Sequence, residues 1–495
     1  QRMWTLWDVH EMGYLVYGLA ADHRFFGEKR SLEAARKLGD YIVTKWSAEP
    51  QKKPGGGAIT VNVAVTGVES AMLALYAQTQ DKRYLDFVVK LRGLPEWDGQ
   101  IVLGRWGQIG GHAYAHMCRC VAQLRLARIQ PDPRLLVATE RVIDFLTAGD
   151  GLVITGAVGD HECWHDSQTG TLNLGETCAT AYLIRLMDER LRMTGETLSG
   201  DIMERAIFNA LFASQSPDGR KIRYYTPFDG PRAYFKGDTY CCPCNYRRIV
   251  AELPRMIYYR QGGGLAVNLY TPSEAAIEGP PARFVKIRQE TGYPHDGKVV
   301  IRLDPSKPAA FPLALRIPRW SGGAAATFRG QPIGPAPRPG SWLVIDRQWK
   351  PGDEVTLRLP MAARLVRGRK AQSGRVAVMC GPLVFCLNRA RNKLPAQLDL
   401  RLITIDPDTL DGPVADEAVP GCELAFRVKA WGPGKWYPSA GHDLSLVLTE
   451  FSDPGGEATY FHVPNPKAPE FVEDELVGDG QDEKRKLLHH HTDAQ

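Results

Sequence analysis

The sequence predicts a multidomain α+β protein: a helical first half followed by two β-rich parts. Three observations carry this. Long amphipathic segments broken by short polar turns recur through residues 1–262, with starts near Leu15, Ala71, Val121 and Ala181. The apolar period then changes from helical to alternating at Gln261-Gly262-Gly263-Gly264. Finally, 495 residues with 44% apolar content suffice for several packed cores.

The helical half reads as stacked hairpins. LVYGLAADHRFFGEKRSLEAARKLGDYIV begins at Leu15, and AMLALYAQTQDKRYLDFVVKL begins at Ala71. VAQLRLARIQPDPRLLVATERVIDFL and AYLIRLMDERLRMTGETLSGDIMERAIFNALF continue the series from Val121 and Ala181. Hairpins at this repeat length build a solenoid or, when closed, an α/α toroid. The intervening loops carry glycines, histidines and tryptophans, so ligand contacts are expected there.

From residue 263 to 363, runs such as FVKIRQE, KVVIRLD, LALRIP and VTLRLP are separated by Pro, Gly and Asp turns. They predict a β-sandwich. RLVRGRKAQSG reads as a basic linker. A second β-rich domain, 371–495, starts with RVAVMCGPLVFCL and ends, from about Pro466, in a loose tail with three consecutive histidines. Those histidines read as solvated.

Composition narrows the partners. A net charge of +5 over this length gives no nucleic-acid surface, and no apolar run is long enough to span a membrane. A homodimer is compatible with the β domains. The ten cysteines are too few and irregular for a disulfide framework, and no signal peptide is evident, so a cytoplasmic location is expected, with a secreted or periplasmic one the alternative if a leader has been trimmed.

The chemistry concentrates in two short stretches. Tyr240-Cys241-Cys242-Pro243-Cys244-Asn245 precedes a helical pattern bearing Ile249, Leu253 and Met256. Gly175-Glu176-Thr177-Cys178 also opens an apolar helix. Free N–H groups at a helix start favour thiolates. Three thiolates and one carboxylate would form a tetrahedral zinc site, although buried cysteines are also common without metal. Upstream lies GAVGDHECWHDSQTGTLNLGE, where Glu162 neighbours His161, Cys163, Trp164 and His165. A carboxyl beside an aromatic ring can serve as a general acid, and a solvated loop glutamate is the simpler alternative. Gln108-Ile109-Gly110-Gly111-His112 offers a glycine-flanked histidine at a helix start, and His10 stands near Trp4 and Trp7. A helical histidine is more often structural, and the tryptophans suit sugar stacking or core packing equally.

GETCAT at 175–180, YCCPCN at 240–245, QIGGHA at 108–113 and LYTPSEA at 269–275 together resemble glycoside hydrolase family 127, the β-L-arabinofuranosidase-like enzymes. The resemblance runs over most of the chain. It implies an (α/α)6 barrel catalytic domain followed by β-sandwich domains, and a carbohydrate substrate. It implies zinc held by Glu176, Cys178, Cys241 and Cys242, with Cys241 as nucleophile and Glu162 as acid/base. His112 and, by the same resemblance, His10 would contact the sugar; Gln108 and His161 are further substrate-binding candidates. His161 and Asp166 are alternatives for the acid/base, because the loop from Glu162 to Glu176 is short for the family. Cys244 stands where the family usually has a second proline, and the N-terminal part is short for six hairpins. The implied activity is a zinc-dependent retaining exo-glycosidase releasing β-L-arabinofuranose. A carbohydrate-binding protein with a closed structural zinc, or a hydrolase that activates a zinc-bound water, are the rivals.

Overall fold

The computed structural model describes residues 3–5, 7–56, 59–104, 110–237, 240–279, 282–435 and 441–478. The chain packs as two compact units: 1–152 with 158–166 and 192–194, and 153–157 with 167–191 and 195–495.

The first unit is helical. Its elements are α1 (Asp8–Phe26), α2 (Lys29–Ala48), α3 (Val61–Ala64), α4 (Val68–Thr79), α5 (Lys82–Asp86), α6 (Ala113–Ile129) and α7 (Arg134–Thr147). A π turn, Phe87–Leu91, extends α5. The hairpin turns fall where the sequence supplies caps. The Glu28 side chain accepts the Arg30 N–H at the start of α2, and Asp81 accepts the Arg83 N–H at the start of α5. Apolar spacing then fixes the faces. Val9, Val16 and Ala20 point inward from α1, and Ala35, Ile42 and Trp46 from α2. Val9, Val16, Ala35, Ile42 and Trp46 meet Val68, Met72, Tyr84 and Phe87 in one core. Each fully buried aliphatic side chain there contributes about 1.5–3 kcal/mol.

The second unit begins its helices with α8 (Thr177–Thr194), α9 (Thr197–Arg205) and α10 (Cys241–Glu252). A π turn, Ala206–Leu211, continues α9, and a 3₁₀ turn, Leu253–Met256, continues α10. Unlike α2, α8 has no solvent face: Thr177 through Leu191 are all buried.

Strands follow from Tyr258. The sandwich uses β1 (Tyr258–Gln261), β2 (Gly264–Val267), β3 (Ser273–Glu278), β4 (Phe284–Thr291), β5 (Lys298–Pro305), β6 (Ala309–Ile317), β7 (Ala325–Phe328), β8 (Gln331–Pro332), β9 (Ser341–Trp349) and β10 (Asp353–Arg358). One sheet has the order β1-β2-β6-β9 and the other β3-β4-β5-β10-β7-β8. Alternate residues Val285, Ile287, Ile301, Leu303, Leu313, Leu315 and Trp349 fill the space between them.

The last sheet runs from β11 (Ala363–Arg367) and β12 (Arg375–Cys380) to β19 (Tyr460–His462). Between them lie β13 (Leu383–Asn388), β14 (Thr404–Ile405), β15 (Asp411–Ala415), β16 (Leu424–Trp431), β17 (Leu444–Glu450) and β18 (Gly456–Ala458). Its order is β11-β12-β19-β14-β16-β17-β13-β18, with β15 on β16, and the β12–β13 hairpin joins strands far apart in that order. Both faces of β12 are covered. Val376, Val378 and Cys380 face one core, while Ala377 and Met379 face a second core with Ile154, Ala210 and Phe228.

Two expectations change here. The basic segment after Pro360 is not a linker: Ala363–Arg367 is strand β11, paired along β12. The C-terminal stretch is anchored as far as the description extends. Val472 donates its N–H to Leu365 O, and Phe471 is buried. Arg205, Arg364 and Arg367 hold Asp474, Glu475 and Glu473. The arginines that looked like a solvated linker are therefore paired with the acidic residues that looked like a tail. The three-histidine run lies outside the described residues.

Candidate metal centre and active-site residues

Two helix N-termini of the second unit converge on one point. Glu176 is the residue before α8 and Cys178 is its second residue; Cys241 and Cys242 are the first two of α10. One donor atom from each of the four lies within 4.8 Å of all the others. Cys178 Sγ is 3.4 Å from Cys242 Sγ, and Cys241 Sγ is 3.8 Å from a Glu176 carboxylate oxygen. Glu176, Cys178 and Cys242 are fully buried, whereas Cys241 is half-buried.

Local sequence explains the placement of Glu176. Gly175 has φ +70°, and a Cβ there would come within 2.8 Å of Thr226 Oγ1 and 2.9 Å of Ala157 Cβ, so glycine is required. The Thr177 N–H donates to Tyr224 O, and its hydroxyl donates to Arg223 O at 2.8 Å. These bonds tie the start of α8 to the segment 223–226.

The donor set suits zinc. Burial pushes the Cys178 and Cys242 thiols well above their ordinary range, and the adjacent Cys241 sulfur and Glu176 carboxylate push the same way. Left alone, such thiols stay protonated; a bound soft cation is what makes a buried S₃O cluster of this kind stable as thiolates. Two helix N-termini aimed at the same point add to that preference. Cys244 is exposed and is not one of the four converging donors.

The first unit holds the other predicted residues. Glu162 and His161 occupy the two central positions of a tight turn, with φ +71° and +47°. Asp160 and Cys163 close it through reciprocal N–H···O bonds of 2.9 and 3.0 Å. Two non-glycine residues in the left-handed region cost about 1–3 kcal/mol each, an expense usually associated with functional loops. Neighbouring bonds fix the turn against the start of α6: Ala113 N–H donates to Glu162 O, and Trp164 N–H to Gly111 O. Gly111 is required because a Cβ there would lie 2.0 Å from Val102 O. His112 caps α6, its Nδ1 accepting the Ala115 N–H at 3.4 Å. His161 Nδ1 lies 2.9 Å from Asp160 Oδ1, and Asp166 is half-buried.

His10 and His112 are joined by aromatics that pattern reading did not single out. His10 packs edge-on to Tyr14 at 4.9 Å, Tyr14 and Tyr114 share a hydroxyl–hydroxyl hydrogen bond, and Tyr114 packs on His112 at 5.7 Å. In the second unit, Tyr224 stacks on Tyr240 with ring centroids 5.7 Å apart, and its hydroxyl is 4.0 Å from Cys241 Sγ. Only a tyrosine adjacent to the cysteine motif hinted at this. Gln108 lies outside the described residues. His116, one turn beyond His112, sits buried between Trp97 and Trp164.

Helical hairpins followed by a β-sandwich and a second β-rich sheet form a fold shared with glycoside hydrolases. A GH127 β-L-arabinofuranosidase from Geobacillus stearothermophilus T6 has a crystal structure that superposes with a TM-score of 0.75. It is 24% identical, with 92% of this chain and 80% of that one covered. A second structure, described as a GH127 β-arabinofuranosidase, gives 0.76 at 23% identity, covering 92% of this chain and 76% of that one. The chain belongs to glycoside hydrolase family 127: the model for the β-L-arabinofuranosidase GH127 catalytic domain matches residues 1–255, and that for the GH127 middle domain matches 264–361. The non-reducing end β-L-arabinofuranosidase of Bifidobacterium longum subsp. longum is 26% identical over 446 residues. That match covers 78% of this chain but spans only 65% of the curated relative's length.

Proposed function

We propose that the protein is a zinc-dependent retaining exo-glycosidase that releases β-L-arabinofuranose, with Cys241 as nucleophile and Glu162 as acid/base. The observation that carries this is the asymmetry of the four-donor cluster: three of the donor residues are sealed, and Cys241 alone is partly exposed. A sulfur that must meet a sugar needs that opening; a purely structural ligand does not.

Glu176, Cys178, Cys241 and Cys242 would hold the zinc. When bound, the ion keeps Cys241 as thiolate near neutral pH and stabilises the same sulfur as a leaving group. Cys241 attacks the anomeric carbon, and the glycosidic C–O bond breaks as the new C–S bond forms. Glu162 gives its proton to the departing oxygen. Glu162 then takes a proton from water, whose oxygen displaces the sulfur and regenerates the thiolate with retained configuration. His112 and His10, linked through Tyr14 and Tyr114, would orient sugar hydroxyls; His161 and Gln108 are further contacts in this reading. The furanoside assignment draws on family membership and on the named activity of the relatives. The helical hairpins are read as parts of an (α/α)6 barrel spanning 1–262, with the sandwich at 263–363 and the second β-rich domain at 371–495.

The test is hydrolysis of p-nitrophenyl β-L-arabinofuranoside, with metal content and intact mass measured on the same samples. Cys241→Ser is expected to lower kcat by about 10³-fold or more, as loss of a nucleophile does. Wild type treated with a cyclophellitol-type arabinofuranose probe should gain one pentose-sized adduct that the variant lacks. The sealed state of Glu176, Cys178 and Cys242 also favours a second reading, a structural zinc in a carbohydrate-binding protein. Stoichiometric zinc with neither turnover nor adduct on any furanoside or pyranoside would select it.

A further inference from the structure

We propose that Arg185 and Glu252 are positioning residues for the metal donors, setting the register of α8 against α10. This rests on the functional reading above and extends it to residues outside the donor cluster. Each helix supplies two of the four donors from its first turn or cap. Sliding one helix by a single residue would shift its donors by about 1.5 Å and turn them by about 100°. A tetrahedral zinc site with bonds of about 2.0–2.3 Å does not survive such a slip.

What opposes the slip is a ladder of alternating charge further down the two helices. Arg185 of α8 donates from Nε to Glu252 Oε2 at 2.9 Å and from Nη2 to Oε1 at 3.1 Å, a two-pronged contact with the last residue of α10. Glu252 also stands 4.0 Å from Arg255, Arg255 Nη2 donates to Asp188 of α8 at 3.3 Å, and Asp188 accepts the Tyr259 hydroxyl at 2.8 Å. The Arg185 side chain is 5% exposed and that of Asp188 0%. Arg185 also lies over the Tyr182 ring at 4.7 Å, which limits its rotamers. Arg185 follows Cys178 by seven residues, about two turns, and Glu252 follows Cys242 by ten, about three turns. The ladder therefore acts on the donors through the helices.

Buried ion pairs add little net stability compared with apolar packing, so stability alone is a weak reason for this one. A two-pronged guanidinium–carboxylate contact does fix geometry, because only one register satisfies both prongs.

The decisive measurement is the zinc dissociation constant of the full chain by chelator competition, beside the melting temperature. Arg185→Met and Glu252→Gln should weaken zinc binding about tenfold or more, with Arg185→Lys in between, since an ammonium makes a single-point contact. Arg389→Met removes another arginine–glutamate pair, Arg389–Glu457 at 2.9 Å, which joins the residue after β13 to β18. It should lower the melting temperature and leave zinc affinity unchanged. If Arg185→Met fails to fold, Arg185→Lys and Glu252→Gln decide. Wild-type zinc affinity in both of these overturns the assignment, whatever the melting temperatures. Absence of stoichiometric zinc from the wild-type protein would instead overturn the functional reading itself.

Discussion

The donor cluster of the second unit and the histidine–tyrosine set of the first unit are built in opposite ways. The cluster uses four residues from two short motifs, each held at the start of a helix and sealed on three of its four members. The first-unit set uses ring contacts within each local stretch, His10 on Tyr14 and His112 on Tyr114, joined across a hundred positions by the Tyr14–Tyr114 hydroxyl hydrogen bond. Its acid/base candidate stands on a tight turn with two left-handed residues. The difference teaches where precision comes from. The donor cluster gets its geometry from backbone segments that begin helices, whereas the histidine–tyrosine set gets it from ring contacts and one hydrogen bond between distant side chains.

Experiments can break or sharpen this contrast. The largest effect after Cys241 itself is expected at Glu162. Glu162→Gln should lower kcat by about 10²–10⁴-fold with zinc content unchanged. Loss of zinc in that variant, read by elemental analysis, would break the separation of roles between the two sets. Next comes acid stability. Burial holds the His116 pKa down at about 4, against 6.5 for the unfolded chain. The unfolded state therefore binds the proton first as pH falls. Stability is intact above about pH 6.5 and declines toward pH 4, by roughly 3 kcal/mol in full, with more than half lost by pH 5. Urea midpoints at pH 7 and 5 should show the drop in wild type and a flatter profile in His116→Phe. The smallest effect is Tyr14→Phe, which removes one hydroxyl–hydroxyl hydrogen bond. A cost of about 0.5–1.5 kcal/mol is expected, read as a slightly lower unfolding free energy and a few-fold rise in KM at constant kcat. A zinc affinity altered by Tyr14→Phe would show that the two sets are coupled.

The two sets also differ in how far the sequence discloses them. The Glu176–Cys178 and Cys241–Cys242 stretches stood out as short motifs at helix starts, but spacing alone did not choose among Cys241, Cys242 and Cys244; the particular set of four came from the family resemblance. The hairpins were legible from their recurring amphipathic period, and the structure adds the caps, Glu28 for α2 and Asp81 for α5. Tyr14 and Tyr114 were not, because nothing near either tyrosine indicates its partner. Arg364 and Arg367 misled in a different way. A run of basic residues resembles a solvated linker until the acidic residues that neutralise it, more than a hundred positions later, are seen beside it. The charge ladder beyond the four converging residues was hidden likewise: Arg185, Asp188, Glu252 and Arg255 look like ordinary helix-surface residues until Thr177 through Leu191 of α8 prove to be buried all round.

Cys244 gives the protein an internal chemical clock. It is exposed on the first turn of α10, three residues from the half-buried Cys241. A general alkylating reagent will mark Cys244 first, so a bare count of labelled thiols says nothing about Cys241. The ratio of the two labelling rates within one peptide, however, cancels reagent decay and sample concentration. Measured with and without chelator, that ratio reports the state of Cys241 alone, using its neighbour as the timekeeper.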